Sequence, residues 1–307
     1  MNVKKPIWEK LGTSLKMGLQ FCPEAEWLPH DDIFGNGYST AQQIALKNKL
    51  FDDIYGDVFA TINIGDDASQ ECWELIAAYA KDYLDTVLPP LDDRHPLEAA
   101  ARSIPEDLAI ISPVMNAGTA APEWVLSAGA IAFPAHWVLN DKIAKPMATV
   151  HAPVPDYKTR LEVPVNRFFH NMKSGSITCR FNWSLQIGQE LFTPRRNARP
   201  SSDTSTKIDQ VYVRIERQTL RKLPRSGHIL FTIRTNLESL GNWLAVDGAL
   251  ASLGQMLEDL PDAQRQYKGA SLYQDLICRA AGMPASTNNR YMRLKLTANL
   301  VPNLTPA

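Results

Sequence analysis

A single histidine between a short apolar run and two prolines is the first residue that could do chemistry. His151 lies in the stretch ATVHAPVPDY, residues 148–157. Proline fixes its own φ, removes a backbone donor and drives the preceding residue towards extended backbone. The two prolines therefore stiffen the chain just after His151, and a stiff backbone can hold one imidazole in one direction. An ordinary structural histidine fits the same pattern, so the stretch alone leaves both interpretations open.

Polar side chains that make directional hydrogen bonds form a second group of candidates. They alternate with apolar residues in three segments typical of strands, 176–185, 211–220 and 228–235. The members of this polar set are Arg180, Asn182, Arg214, Glu216, Gln218 and Arg234. A solvated sheet face is one interpretation, since antiparallel sheets often expose one side to water. If helices cover the face instead, the buried charges must form ion pairs or bind a ligand. The charges of the arginines would then keep Glu216 ionised.

Other catalytic signatures are absent from the sequence. It contains no G-x-S-x-G, no H-E-x-x-H and no P-loop motif. The four cysteines are far apart with no C-x-x-C, which argues against zinc and iron–sulfur centres. Among the other histidines, His136 and His170 are the remaining candidates for a site, because the rest lie in loops or at the ends of elements.

The composition limits the class of protein. The chain has 307 residues, of which 45% are hydrophobic and 21% charged, and its net charge is −1. It therefore has enough apolar side chains for a large core and no basic field for nucleic acid or an acidic membrane surface. No run approaches the length of a membrane span, and no apolar segment follows the N-terminal lysines as in a secretory signal. We predict a cytoplasmic protein that binds neither nucleic acid nor membrane.

Helices and strands in a mixed order must position these residues. Amphipathic or helix-forming patterns cover 41–55, 68–88, 95–104, 163–172, 248–260 and 271–282. Ser39 or Thr40 would cap the first helix and Asp66 or Asp67 the second. Two more strands cover 107–115 and 123–134, and neighbouring strands usually pair. The length allows one large domain or two smaller ones. The pattern predicts an α+β fold, with helices to about 105, an antiparallel sheet over about 106–240 and helices over about 245–307.

Several long motifs resemble the haem-dependent oxidative N-demethylase family. They read FPAHWVLNDKIAKPMATVHAPVP, CRFNWSL and RIERQTLRKLPRSGHILFTIRT, and the similarity covers roughly residues 15–280. The resemblance implies a single domain over 1–307, built on a PAS-like antiparallel sheet with helical layers, with haem b and its iron in the core pocket. It implies demethylation of a secondary or other N-methylated amine such as dimethylamine by dioxygen, giving formaldehyde. Electrons would come from NADPH through a separate flavin and iron–sulfur reductase, because this chain has no segment for either centre.

The resemblance also implies roles for individual residues. His151 matches the histidine of the family's (I/V)HxPVP motif and would be the axial ligand of the haem iron. Arg180 and Glu216 match its polar distal pocket: Glu216 would pair with the amine or relay a proton, and Arg180 would orient Glu216 or a haem propionate. Arg214 and Arg234 are expected to contact the haem together with Arg180. A non-catalytic PAS-like haem sensor, or a protein that binds another small molecule, is the alternative.

Overall fold

A seven-stranded antiparallel sheet forms the centre of the fold. The computed structural model describes residues 6, 8–9, 17–29, 37–119, 121–195 and 206–284. The strands are β1 (Gln20–Phe21), β2 (Phe59–Thr61), β3 (Asp107–Val114), β4 (Glu123–Ala130), β5 (Ile177–Ile187), β6 (Val211–Lys222) and β7 (Ile229–Ser239). Their order across the sheet is β1-β5-β6-β7-β3-β4-β2. The predicted α+β class and the five longer strands are confirmed.

Helices precede, interrupt and follow the strands along the chain. They are α1 (Thr40–Asp53), α2 (Tyr55–Val58), α3 (Asp66–Tyr83), α4 (Pro96–Ser103), α5 (Met147–Val150), α6 (Glu162–Asn171), α7 (Ala249–Glu258), α8 (Asp262–Tyr267) and α9 (Ala270–Ala280). A π-helical turn, Tyr157–Leu161, leads into α6. Short 3₁₀ turns cover Glu24–Glu26, Asn63–Gly65, Leu139–Asp141, Ile208–Gln210 and Leu240–Trp243. The sequence pattern predicts these helices except α2, α5 and α8.

The helix caps show where sequence signals were sufficient. Ser39 caps α1 in a capping box, in which its hydroxyl accepts from the Gln42 N–H and the Gln42 side chain accepts from the Ser39 N–H. The predicted cap of α3 is wrong, because Gly65 holds that position and Asp66 belongs to the first helical turn. A carboxylate there still suits the helix dipole, which explains the similar sequence signal.

Strand register decides which side chains share a face. Residues paired across an antiparallel ladder point to the same side. Glu216 pairs with Asn182 of β5 and with Thr235 of β7. The polar face is therefore built by the set Arg180, Asn182, Arg214, Glu216 and Gln218.

Arg234 does not belong to this polar face. It pairs with Arg217, so it points to the opposite side of the sheet, and the predicted shared face is wrong for this residue. The reason lies in the pattern of β7, where apolar residues such as Leu230 and Phe231 occupy both alternating positions. Alternation within β7 alone cannot tell the two faces apart, and only the pairing with β6 does.

Helical layers cover both sides of the sheet. The helices α1, α3 and α4 pack on the side opposite the polar face, against Leu108, Ile110 and Leu230. α7 and α9 cover the same side further along, against Val213 and Ile215. The α5–α6 region lies over the polar-face side, where its apolar residues contact the set Leu220, Ile229 and Phe231.

No helix within the described part of the chain is both long enough and apolar enough to cross a membrane. The cytoplasmic location stays a prediction. The predicted strand or tail from Arg290 lies outside the described residues, as do positions 196–205 of the predicted loop.

Candidate active site

Glu216 lies at the centre of the polar face and is held by three donors. Arg214 Nε donates to its Oε1 at 3.3 Å, and Oε2 accepts from Gln218 Nε2 at 2.9 Å and Asn182 Nδ2 at 3.3 Å. All three donors come from β5 or β6, so the strand register sets their positions. The Glu216 side chain is only 12% exposed. An ionised carboxylate accepts about four hydrogen bonds, so one acceptor position remains for a ligand.

Arg214 fixes Glu216 rather than facing the site freely. Its side chain is 1% exposed, and its remaining donors reach the Leu191 carbonyl at 3.1 Å, the Gln186 side chain and the Phe133 carbonyl. The Phe133 segment is itself anchored, because its main-chain N–H donates to the buried Asp107 carboxylate at 2.8 Å. Every nitrogen of the guanidinium is thus used by protein acceptors, and Arg214 acts as a positioning residue.

Arg180, unlike Arg214, has no hydrogen-bond partner among the residues that the structure describes. It makes no ion pair with any of them either, and its buried Nε has no acceptor there. Burial lowers the pKa of Arg180, and the charge of Glu216 raises it again, so the two groups interact only at a distance. The expectation that Arg180 orients Glu216 is therefore wrong, since Arg214, Gln218 and Asn182 do this. The Arg180 guanidinium remains available to a ligand.

Lys268 is a further cation beside β5 that sequence reasoning missed. It follows α8, and its Nζ donates to the Trp183 carbonyl at 2.7 Å while lying 4.5 Å from the centre of the Trp183 ring. Burial lowers the pKa of Lys268 to about 8, opposed by Glu216 and reinforced by Arg180. The Trp183 side chain that it contacts points to the side of the sheet opposite Glu216. The sequence held no signal for Lys268, because the six-residue α8 is too short for a recognisable periodicity.

His151 lies on the same side of the sheet as Glu216. It follows α5, whose last residue, Val150, packs against the same apolar clusters as Phe231, a residue on the side of Glu216. Its Nδ1 is 2.9 Å from the Met147 carbonyl oxygen. A carbonyl can only accept, so Nδ1 carries the proton and Nε2 keeps its lone pair. Burial, aided by the charge of Arg180, lowers the pKa of His151 and favours this neutral form.

Tyr157 holds the His151 ring from one side. The two rings are stacked with centroids 4.6 Å apart and planes 9° from parallel. Burial raises the pKa of Tyr157 to about 12, so the phenol stays neutral. The hydrogen bond to Met147 and this stacking together fix the direction of the imidazole, which is what the prolines of the stretch suggested.

An open cavity of about 660 Å³ adjoins the polar face. Its lining includes Phe168 and Met172 from the α6 region and Thr178, which precedes Arg180 by two residues and so points to the same side. The volume falls within the range of small-molecule and cofactor pockets. Arg180, Glu216 and His151 do not line this cavity, which lies between α6 and the start of β5, next to the polar face.

The other candidates from the sequence lie apart or are already paired. His170 is exposed on α6. His136 lies at the end of a loop in left-handed backbone, with φ 60°, and its main-chain N–H donates to the Thr193 carbonyl at 2.7 Å, so it lies near Thr193, away from the polar face. Arg234 is buried on the opposite side of the sheet, where it donates to Thr40 Oγ1 at 2.8 Å and lies 3.7 Å from Glu106.

The family comparison agrees with the motifs of the sequence. Residues 53–278, more than half of the chain, match the model of the family described as haem-dependent oxidative N-demethylase, alpha subunit-like. This range includes His151, Arg180, Glu216 and Lys268. The chain therefore belongs to the haem-dependent oxidative N-demethylase, alpha subunit-like, family.

Proposed function

We propose that this protein is a haem-b-dependent monooxygenase that oxidatively demethylates a secondary or other N-methylated amine. Membership of the family supports haem dependence and oxidative chemistry. The observation that carries the proposal is the placement of His151, Arg180 and Glu216 on one side of the sheet. In this proposal the chain forms one domain, and the sheet with its helical cover is a PAS-like haem-binding core.

The residues around His151 fit an axial ligand of haem iron. Haem ligation needs a neutral imidazole whose second nitrogen donates to a fixed acceptor. His151 meets this requirement, because Nδ1 donates to Met147 and Nε2 keeps its lone pair. Apolar side chains from α5, α6 and the sheet surround it and suit the porphyrin face. Arg180 has donors free for a propionate.

Bound haem supplies the redox chemistry, and the chain supplies binding, orientation and proton handling. In the overall reaction the amine, dioxygen, two electrons and two protons give the demethylated amine, formaldehyde and water. Glu216 binds the substrate nitrogen through its remaining acceptor position and takes or returns a proton there. Arg214, Gln218 and Asn182 hold this carboxylate in one orientation, so the amine is bound in one pose.

The electrons must come from outside the described site. The family description names an alpha subunit, which is consistent with a separate reductase. We propose that this partner carries the flavin and iron–sulfur centres and draws on NADPH.

The first test is an ultraviolet–visible spectrum of protein purified with haem supplied, beside the His151→Ala variant. We expect a Soret band in the wild type that is lost or shifted in the variant, because iron loses its fixed ligand. A wild type that takes up no haem would overturn the proposal. An unshifted band in the variant would move the ligand to another residue such as His136 or His170.

The second test concerns Glu216 and uses formaldehyde release from dimethylamine with a surrogate reductase. Glu216→Gln keeps the size and shape of the side chain but cannot take a proton, and its amide nitrogen cannot accept from the donors that face one carboxylate oxygen. We expect turnover to fall by about 100-fold or more with the haem spectrum nearly unchanged. Haem binding without turnover in the wild type would instead favour a sensor.

A further inference from the structure

Asp107 is a second carboxylate on the side of the sheet that carries Glu216. It pairs across the ladder with Ile233, which in turn pairs with Gln218 of the polar face, and residues paired in this way point to the same side. Its side chain is fully buried and lies 3.4 Å from Lys47 Nζ of α1. A carboxylate is buried at a cost unless its oxygens are bound, so the groups that bind Asp107 show what it does.

Asp107 holds two consecutive peptide groups of the loop after β4. Its Oδ1 accepts from the Ala132 N–H at 3.0 Å, and its Oδ2 accepts from the Phe133 N–H at 2.8 Å. A carboxylate can accept with both oxygens, whereas an amide has only one oxygen that can do so. The Phe133 carbonyl accepts from Arg214 Nη2, and Arg214 Nε donates to Glu216 Oε1 at 3.3 Å. One loop residue thus links the two carboxylates through its main chain and Arg214.

We propose that Asp107 is a positioning residue that orients the Glu216 carboxylate through Arg214. The Phe133 main chain is the link between Asp107 and Arg214. If this loop moves, the guanidinium loses a fixed acceptor and shifts together with the carboxylate that it holds. A displacement of about 1 Å in a group that orients a substrate can lower a rate by about 100-fold. The effect on turnover rests on the proposed function, whereas the effect on Arg214 does not.

Lys47 extends this series of contacts to α1. Its Nζ donates to the main-chain carbonyls of Ile104, at 3.2 Å, and of Glu106, and it lies 5.5 Å from the centre of the Phe133 ring. These contacts fix the ammonium beside Asp107, so the two buried charges are paired with each other. The orientation of the site therefore depends on a helix that packs chiefly against the opposite side of the sheet.

The first experiment observes Arg214 directly and needs neither haem nor turnover. The full chain is labelled with nitrogen-15 arginine, and the Nε–H signal of Arg214 is identified by its loss in Arg214→Met. We expect Asp107→Asn to shift this signal and to speed its exchange with water by about tenfold or more, because the guanidinium loses a fixed acceptor. The control is Asp53→Asn, the same change at an exposed carboxylate of α1 that pairs with Lys49, and it should leave the signal unchanged. An Arg214 signal that is also unchanged in Asp107→Asn would refute the proposal.

The second experiment separates positioning from a general loss of stability. The kcat and KM for demethylation of dimethylamine are measured at equal haem content for Asp107→Asn in the wild type and in Glu216→Gln. We expect kcat/KM to fall by about tenfold or more in the wild type. The residual rate of Glu216→Gln should not fall further, because the carboxylate that Asp107 orients is already absent. Equal losses in both backgrounds would mark a purely structural role and overturn the proposal.

A double variant guards against misfolding. Asp107→Asn leaves Lys47 buried without its partner, and this alone can unfold the protein. Lys47→Met/Asp107→Asn removes both charges, so it should resist urea better than Lys47→Met while its Arg214 signal stays altered as in Asp107→Asn. Recovery of the wild-type Arg214 signal in the double variant would contradict the proposal. A protein that takes up no haem or turns over no amine would fail the proposed function, while the Arg214 signal would still decide this inference.

Discussion

Arg214 offers the sharpest test of how the fold builds the site, because one side chain joins Glu216 to the core. Its guanidinium is 1% exposed and donates to Glu216 and to two main-chain carbonyls, those of Leu191 and Phe133. The substitution Arg214→Met removes these donors at similar length. It leaves Glu216 as a largely buried carboxylate whose ionic partner is gone.

The expected cost follows from these contacts. Breaking a buried ion pair from one side destabilises a protein by about 3–5 kcal/mol, because the remaining charge stays buried without its partner. Arg214→Lys keeps a charge but loses the planar fork, so we expect a smaller loss of about 1–3 kcal/mol. Glu216→Gln in the Arg214→Met background neutralises the stranded charge. Its cost there should be lower than in the wild type by about 0.5–3 kcal/mol.

Urea unfolding followed by tryptophan fluorescence measures all four free energies of the cycle. Lys49→Met serves as the control, since Lys49 pairs with Asp53 at the surface with side chains 69% and 52% exposed, and should cost at most about 1 kcal/mol. A loss below about 1 kcal/mol for Arg214→Met would refute the reasoning. So would a Glu216→Gln effect that is equal in both backgrounds.

Three further predictions concern the frame around the site. Ser39→Ala removes the capping box of α1 and should lower the free energy of unfolding by about 1 kcal/mol, with Ser39→Asp as control. Lys47→Met strands the fully buried Asp107, 3.4 Å away, and should cost about 3–5 kcal/mol in urea unfolding, part of which Asp107→Asn restores. Because burial lowers the pKa of Lys268 from 10.5 to about 8, the unfolded chain binds more protons between these pH values. The stability of the wild type relative to Lys268→Met, measured as the difference in the free energy of unfolding, should therefore increase as the pH rises from about 8 to 10.5.

The regular part of the fold could be predicted from the sequence because its signals are local. The strict alternation in β5 and β6 predicts both strands, and it predicts that Arg180 and Glu216 lie on the same side of the sheet. The motif around Ser39 predicts the start of α1. The two- and three-residue strands β1 and β2 could not be predicted, because no pattern can develop over so few residues.

The errors in the site come from contacts between segments that are distant in the chain. Arg234 needs its pairing with Arg217 before its face can be assigned. The choice of Arg214 rather than Arg180 as the partner of Glu216 depends on side-chain conformations that the alternation does not specify. Lys268 reaches Trp183 across 85 positions of the chain, so no local pattern marks it.

The family motifs determine only part of the site. The motifs lie on His151 and on β5 to β7, and these elements supply the imidazole, the Glu216–Arg214 pair and Arg180. The carboxylate of Glu216 is already paired with Arg214, so Arg180 is the charged group of the polar face without a partner among the described residues. All three residues come from the motifs, whereas α6, which covers this side of the sheet, lies outside them. Chains with identical motifs can thus share these charges and differ in the side chains that cover them, so the motifs do not fix the shape of the ligand.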